Sequence, residues 1–188
     1  MRAVRLVLSA AAALLLMAFP IRAAVTYPLA LTLDAQLKSG VTTVTSKVTV
    51  SVERLMVDTT RARVTDALRY SGYSNFVNAL RTAPAVGTIA SQSAKVDIRY
   101  TREEQDGANR RLVLVADRPL FFLSADPAKP RAGFELTVMD LRIGADGAVT
   151  GTMAGAAKVK PSPNGPVLDD FTESLVELKG SVGTNQSK

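Results

Sequence analysis

Between Tyr27 and Lys38 the chain alternates. Tyr27, Leu29, Leu31, Leu33, Ala35 and Leu37 share one parity, and Pro28, Thr32, Asp34, Gln36 and Lys38 share the other. A period of two over this length describes a β-strand with one face in a core and the other in water. Ser39-Gly40 then signals a turn. After it Val44, Val48, Val50 and Val52 alternate with Thr43, Thr45, Lys47, Thr49, Ser51 and Glu53. The two segments predict an antiparallel hairpin. A lone hairpin is marginal in water, so the rest of the chain must supply a sheet to complete it.

Most of the remaining chain meets that need. Val86–Ala90 reads as a short strand, and Val96, Ile98 and Tyr100 alternate with Asp97, Arg99 and Thr101. Asp106-Gly107 marks a turn. Leu112–Val115 is apolar on both parities, which predicts a strand covered on both faces. Leu120–Leu123 follows Pro119. Over Phe134–Ile143 the apolar parity changes, which suggests a bulge. Asp146-Gly147 is a hairpin turn, Val149–Val159 a further strand, residues 161–166 a Pro-rich loop, and Phe171–Leu178 the closing strand. The exception lies between residues 59 and 82. There Val64, Ala67 and Leu68, then Phe76, Val77, Ala79 and Leu80, recur at helical spacing. Asp58-Thr59-Thr60 offers a cap, and Gly72 and Pro84 are the breaks. The fold class is therefore mainly β: an antiparallel barrel or sandwich with one inserted helical hairpin.

The N-terminus reads differently. Arg2 and Arg5 precede an apolar run from Leu6 to Phe19, followed by Pro20 and then Ala23-Ala24. This is the pattern of a secretory signal peptide, with cleavage near Ala23. The run is shorter than the ~20 apolar residues of a membrane helix, so no integral span is expected after cleavage. The organisation is a signal peptide at 1–23, a single β-rich domain at 24–180 and a polar tail at 181–188. The expected location is periplasmic or secreted. Cleavage would remove three arginines and no acid, taking the net charge from +6 to about +3. With no basic stripe and few aromatics, nucleic-acid binding is not expected.

The chain has no Cys, His or Trp. That excludes disulfides, thiol nucleophiles, His-based triads and ordinary zinc or haem sites. No Walker loop, dinucleotide fingerprint or nucleophile elbow occurs. No catalytic residue, metal site or cofactor is expected. Gly147, Gly151 and Gly155 lie four apart, which on a strand is one bare face, suited to close packing or strong coiling. Asp169, Asp170, Glu173 and Glu177 form an acidic group without a calcium-loop spacing, read as a solvated edge. Aromatic girdles of an outer-membrane barrel are missing. The expected polar rim of a ligand site combines Asp117 and Arg118, at the end of the apolar strand, with Arg99 and Tyr100 of its expected hairpin partner.

Several stretches come in a distinctive order: the helical segment Asp58–Ala79, Pro84-Ala85-Val86-Gly87-Thr88-Ile89, Asp97-Ile98-Arg99-Tyr100, Arg110–Pro119 with its Asp117-Arg118-Pro119, and Phe134–Gly151. In this the chain resembles a group of uncharacterised exported bacterial proteins with a helical hairpin followed by a β-rich domain. The resemblance covers roughly residues 44–180. It implies export and one compact domain, and it carries over no catalytic residues. The leading functional expectation is a non-enzymatic module binding a small apolar or amphipathic molecule. A structural or adaptor protein of the cell envelope is the alternative, and a carboxylate-based hydrolase a third.

Overall fold

A computed structural model describes residues 26–39, 41–92, 94–120, 131–172 and 175–183. The segment read as a signal peptide lies outside the described residues. So do Phe121–Leu123 of the strand expected after Pro119, and most of the expected tail. Among these residues nine strands and two helices follow in order: β1 (Leu29–Ser39), β2 (Thr42–Val52), α1 (Asp58–Ser71), α2 (Tyr73–Thr82), β3 (Gly87–Ala90), β4 (Lys95–Asp106), β5 (Asn109–Ala116), β6 (Leu136–Ile143), β7 (Ala148–Ser162), β8 (Gly165–Phe171) and β9 (Val176–Val182). Strands β1 to β7 pair in sequence, all antiparallel, and β9 closes the ring between β7 and β1. The result is an eight-stranded antiparallel barrel, with β8 paired to the far half of β7.

The register explains the alternation. Leu31 pairs with Val50 and Leu33 with Val48 on β2, and Val50 pairs with Ile89 on β3. Across the other side Leu114 faces Met139, Met139 faces Met153, and Met153 faces Val176. Paired residues share a face, so these apolar positions line the interior, and all are 0–2% exposed. The opposite parity of β1, β2 and β9 is in water, with ion pairs Asp34–Lys47 and Lys38–Glu177. Apolar inside and charged outside is the reverse of a barrel that faces lipid. Among the described residues no helix is long and apolar enough to cross a membrane.

Part of the outer wall is not in water. Val113 and Val115 of β5, and Leu136 and Val138 of β6, point outward by register yet are at most 5% exposed. Beyond its pairing with β6, β7 continues as a hairpin with β8, and Pro166–Leu168 lie beside Val113, Val138 and Ala154 on the outside of the barrel. The turn of this arm reaches Arg102 and Tyr100 of β4 and Arg69 of α1. The helices bury Val64, Leu68, Phe76, Val77 and Leu80. The parity change over Phe134–Ile143 thus reflects a strand covered first outside and then inside. The bulge lies opposite, in β7, where Leu136 pairs with Ala157 but Val138 pairs with Ala154.

Candidate functional site

Two sites must be told apart: the rim expected from the sequence and a cleft the fold creates. The expected rim sits at the outer end of the β4–β5 pair. An irregularity between Ile98 and Tyr100 shifts the register there, so that Ile98 faces Ala116 and Tyr100 faces Val115. Arg99 Nε donates to Asp117 Oδ2 at 2.7 Å, Nη1 to the Ala83 carbonyl at 2.6 Å, and Nη2 to Asp97 Oδ2 at 3.1 Å. Asp117 is buried. This network fastens the end of α2 to the barrel wall, and its donors are committed to protein acceptors. Arg118 is exposed, and its carbonyl accepts the Thr137 hydroxyl at 2.9 Å. Tyr100 turns away from the network, being 1% exposed beneath α1 and Gly165. Arg99 and Asp117 are therefore brought together, while Arg118 and Tyr100 are elsewhere. The acidic group of β8 and β9 is dispersed as well: Asp169 pairs with Lys160 and Glu177 with Lys38, and Glu173 lies outside the described residues.

Tyr100 instead belongs to a cleft of about 550 Å³ between α1, β4 and the β7–β8 turn. α1 contributes Asp58, Arg61, Ala62, Thr65, Asp66 and Arg69, a stripe at i, i+3/i+4, i+7/i+8 and i+11 that is one helical face. β4 contributes Tyr100, Arg102, Glu103 and Glu104, and the turn contributes Pro163, Asn164 and Gly165. The turn is held from both sides. Arg69 Nη2 donates to the carbonyls of Ser162, at 3.1 Å, and Pro163, at 3.3 Å. Arg102 Nη1 donates to the carbonyl of Asn164. Gly165 adopts φ +113°, and a Cβ there would collide with the Tyr100 hydroxyl, so the residue type permits the close approach of turn to strand.

The cleft lining carries four acids and three arginines, and most of these are engaged. Arg61 pairs with Asp58 at 2.8 Å. Glu104 Oε2 is shared between Arg102 Nη2 at 3.4 Å and Arg111 Nη1 at 3.8 Å. Arg111 is in turn held by Asp140, Nε to Oδ1 at 2.9 Å, and this hydrogen bond raises its already high pKa. Glu103 pairs with Arg110 and accepts the Tyr27 hydroxyl at 2.7 Å, closing that end of the barrel. Burial pushes the Tyr100 hydroxyl pKa up, against the opposing pull of its hydrogen bond with Thr65 and the charges of Arg102 and Arg61. Arg102 is incompletely engaged: it is 7% exposed, Nη1 and Nη2 have partners, and its Nε is buried with no hydrogen-bond partner.

The sequence held only a faint signal of this cleft. The polar stripe of α1 is at helical spacing but looks like any solvated face, and Arg102-Glu103-Glu104 reads as the approach to a turn. What assembles them is the return of the β7–β8 arm across the wall, which no local pattern encodes. No family model matches this chain, and comparison with curated proteins and with solved structures gives no match to either.

Proposed function

We propose that this chain is an exported, non-enzymatic binding module, and that its site is the cleft between α1, β4 and the β7–β8 turn. The observation that carries the reading is Arg102, a buried guanidinium lining an open cleft with one N–H unmatched. A buried donor without an acceptor costs stability, and an occupant that draws the Arg102 side chain toward the cleft supplies the acceptor. The two strand carboxylates of the cleft are each engaged by an arginine, which suits orienting a ligand better than transferring a proton. Of the two expected ligand classes, the amphipathic one fits this polar lining better than the purely apolar one. In this reading α1 and α2 form an inserted hairpin, of which α1 supplies one side of the site. Export rests on the Arg2–Ala24 pattern.

Native mass spectrometry of protein purified from the compartment to which it is exported tests the binding reading. A retained small molecule, lost in the cleft-filling variant Ala62→Phe, is the expected result. No retained mass in either protein counts against it. N-terminal sequencing of the same material tests export: a start near Ala24 is expected, and a membrane-held chain still beginning at Met1 overturns it.

A further inference from the structure

Taking the cleft as a binding site, we propose that its ligand is a small zwitterion, with an anionic oxygen group, carboxylate or phosphate, seated on Arg102 and Arg69 and an ammonium group directed to Asp66. Arg102 and Arg69 reach the Ser162–Asn164 turn from opposite sides, one from β4 and one from α1. The acceptors Arg69 finds there are backbone carbonyls, and its guanidinium lies 5.9 Å from the centre of the Tyr70 ring, so among the described residues no carboxylate pairs with its charge. Arg102 is only partly opposed, because Glu104 lies 3.4 Å away and is shared with Arg111. Its Nε has no acceptor. Planar arginine forks match the oxygens of a carboxylate or phosphate.

The acids of the cleft supply the second half of the argument. Asp58 is taken by Arg61 and Glu103 by Arg110. Asp66 lines the cleft, and among the described residues no arginine or lysine pairs with it. It lies three residues before Arg69, which makes the two neighbours on one helix face. A ligand carrying negative charge alone would sit against Asp66 and Glu104. One that also carries an ammonium group turns Asp66 into a partner, and it needs only a short spacer between its charges.

Titration calorimetry of the full chain, dialysed free of retained ligand and held at constant ionic strength, tests this. The probes are phosphoethanolamine and β-alanine, with inorganic phosphate and ethanolamine as separated halves. At least one zwitterion should bind saturably and about tenfold more tightly than either half, a difference of about 1.4 kcal/mol. Which of the two does so assigns phosphate or carboxylate. Arg69→Gln and Asp66→Asn, both at exposed positions, should each abolish that advantage. They carry the test because Arg102 is buried and its replacement risks the fold. Halves that bind as tightly as the zwitterions, or no binding by any probe, overturn the proposal. If native mass spectrometry still shows a molecule that Ala62→Phe expels, the zwitterion falls and the binding reading stands. If nothing is retained and nothing binds, both fall.

Discussion

Asp117 and Arg118 are adjacent in sequence and opposite in circumstance. Asp117 is buried against Arg99, whereas Arg118 is exposed. Asp117→Ala strips Arg99 of its closest carboxylate and should lower unfolding free energy by about 1–3 kcal/mol. Arg118→Ala should change it by less than about 0.5 kcal/mol. Urea denaturation of the two variants separates them, and equal effects would mean that the Arg99 network contributes nothing. Leu114 is 0% exposed inside the barrel wall, so Leu114→Ala should cost about 2–5 kcal/mol. Tyr27 and Tyr73 give a reading in alkali. Burial, followed by hydrogen bonds to Glu103 and Glu135 respectively, raises both hydroxyls well above the ordinary value of 10.0. A raised pKa means that the folded state holds the proton more tightly. The stability it contributes is complete below pH 10 and is lost as pH climbs from there toward the folded pKa, by about 1.4 kcal/mol per unit for each group. Tyr27→Phe and Tyr73→Phe should each flatten the alkaline limb of the stability profile.

At the level of strands and helices, the inward glycines show how tightly the wall is wound. A Cβ on Gly180 would strike the Thr32 carbonyl, and one on Gly151 the Asp140 carbonyl, both on the neighbouring strand. Gly180→Ala must therefore displace backbone. It should cost about 1–3 kcal/mol by thermal or urea unfolding, where an alanine in an open strand would be neutral or better. The spacing of Gly147, Gly151 and Gly155 was legible as a place of coiling. Only Gly151 has that role in the wall, because Gly147 is in the turn at φ +81° and the Gly155 carbonyl accepts Leu120 N–H and the Thr137 hydroxyl at the bulge. β1, β2 and the doubly covered β5 were legible because burial there follows the pleat. Residues 161–166 read as a loop for want of donors at Pro161, Pro163 and Pro166. In the fold Pro161 pairs with Pro166 and Ser162 with Gly165, so the prolines sit at a hairpin end that needs few ladder bonds. The cleft was not legible, since it depends on where that hairpin comes to rest.

For the molecule as a whole, acid stability should report the join between α2 and the strands. Desolvation alone would raise the Glu135 pKa, but the Gly133 N–H, the Tyr73 hydroxyl and the charge of Arg81 outweigh it, and the net shift is downward. A lowered carboxylate pKa contributes stability that is present above the unfolded value and lost as pH falls through the folded one. Glu135→Gln should therefore lower Tm at neutral pH and shrink the loss of Tm between neutrality and acid. An unchanged pH profile would dismiss the carboxylate as a contributor. The closure of the ring has a different consequence. β1 pairs with β2 across a short turn and with β9 more than 130 residues later. A chain that emerges N-terminus first carries one edge of β1 unpaired until β9 arrives, and an open apolar strand edge invites pairing with other chains. The barrel cannot be completed piecemeal, and its many distant pairings predict slow folding for its size. A chain halted before Val176 should associate with itself instead of remaining monomeric, and a separate peptide spanning residues 175–183 should restore the closed ring. Synthesis order, and with it the time available to helper proteins before closure, is thus written into which two strands meet last.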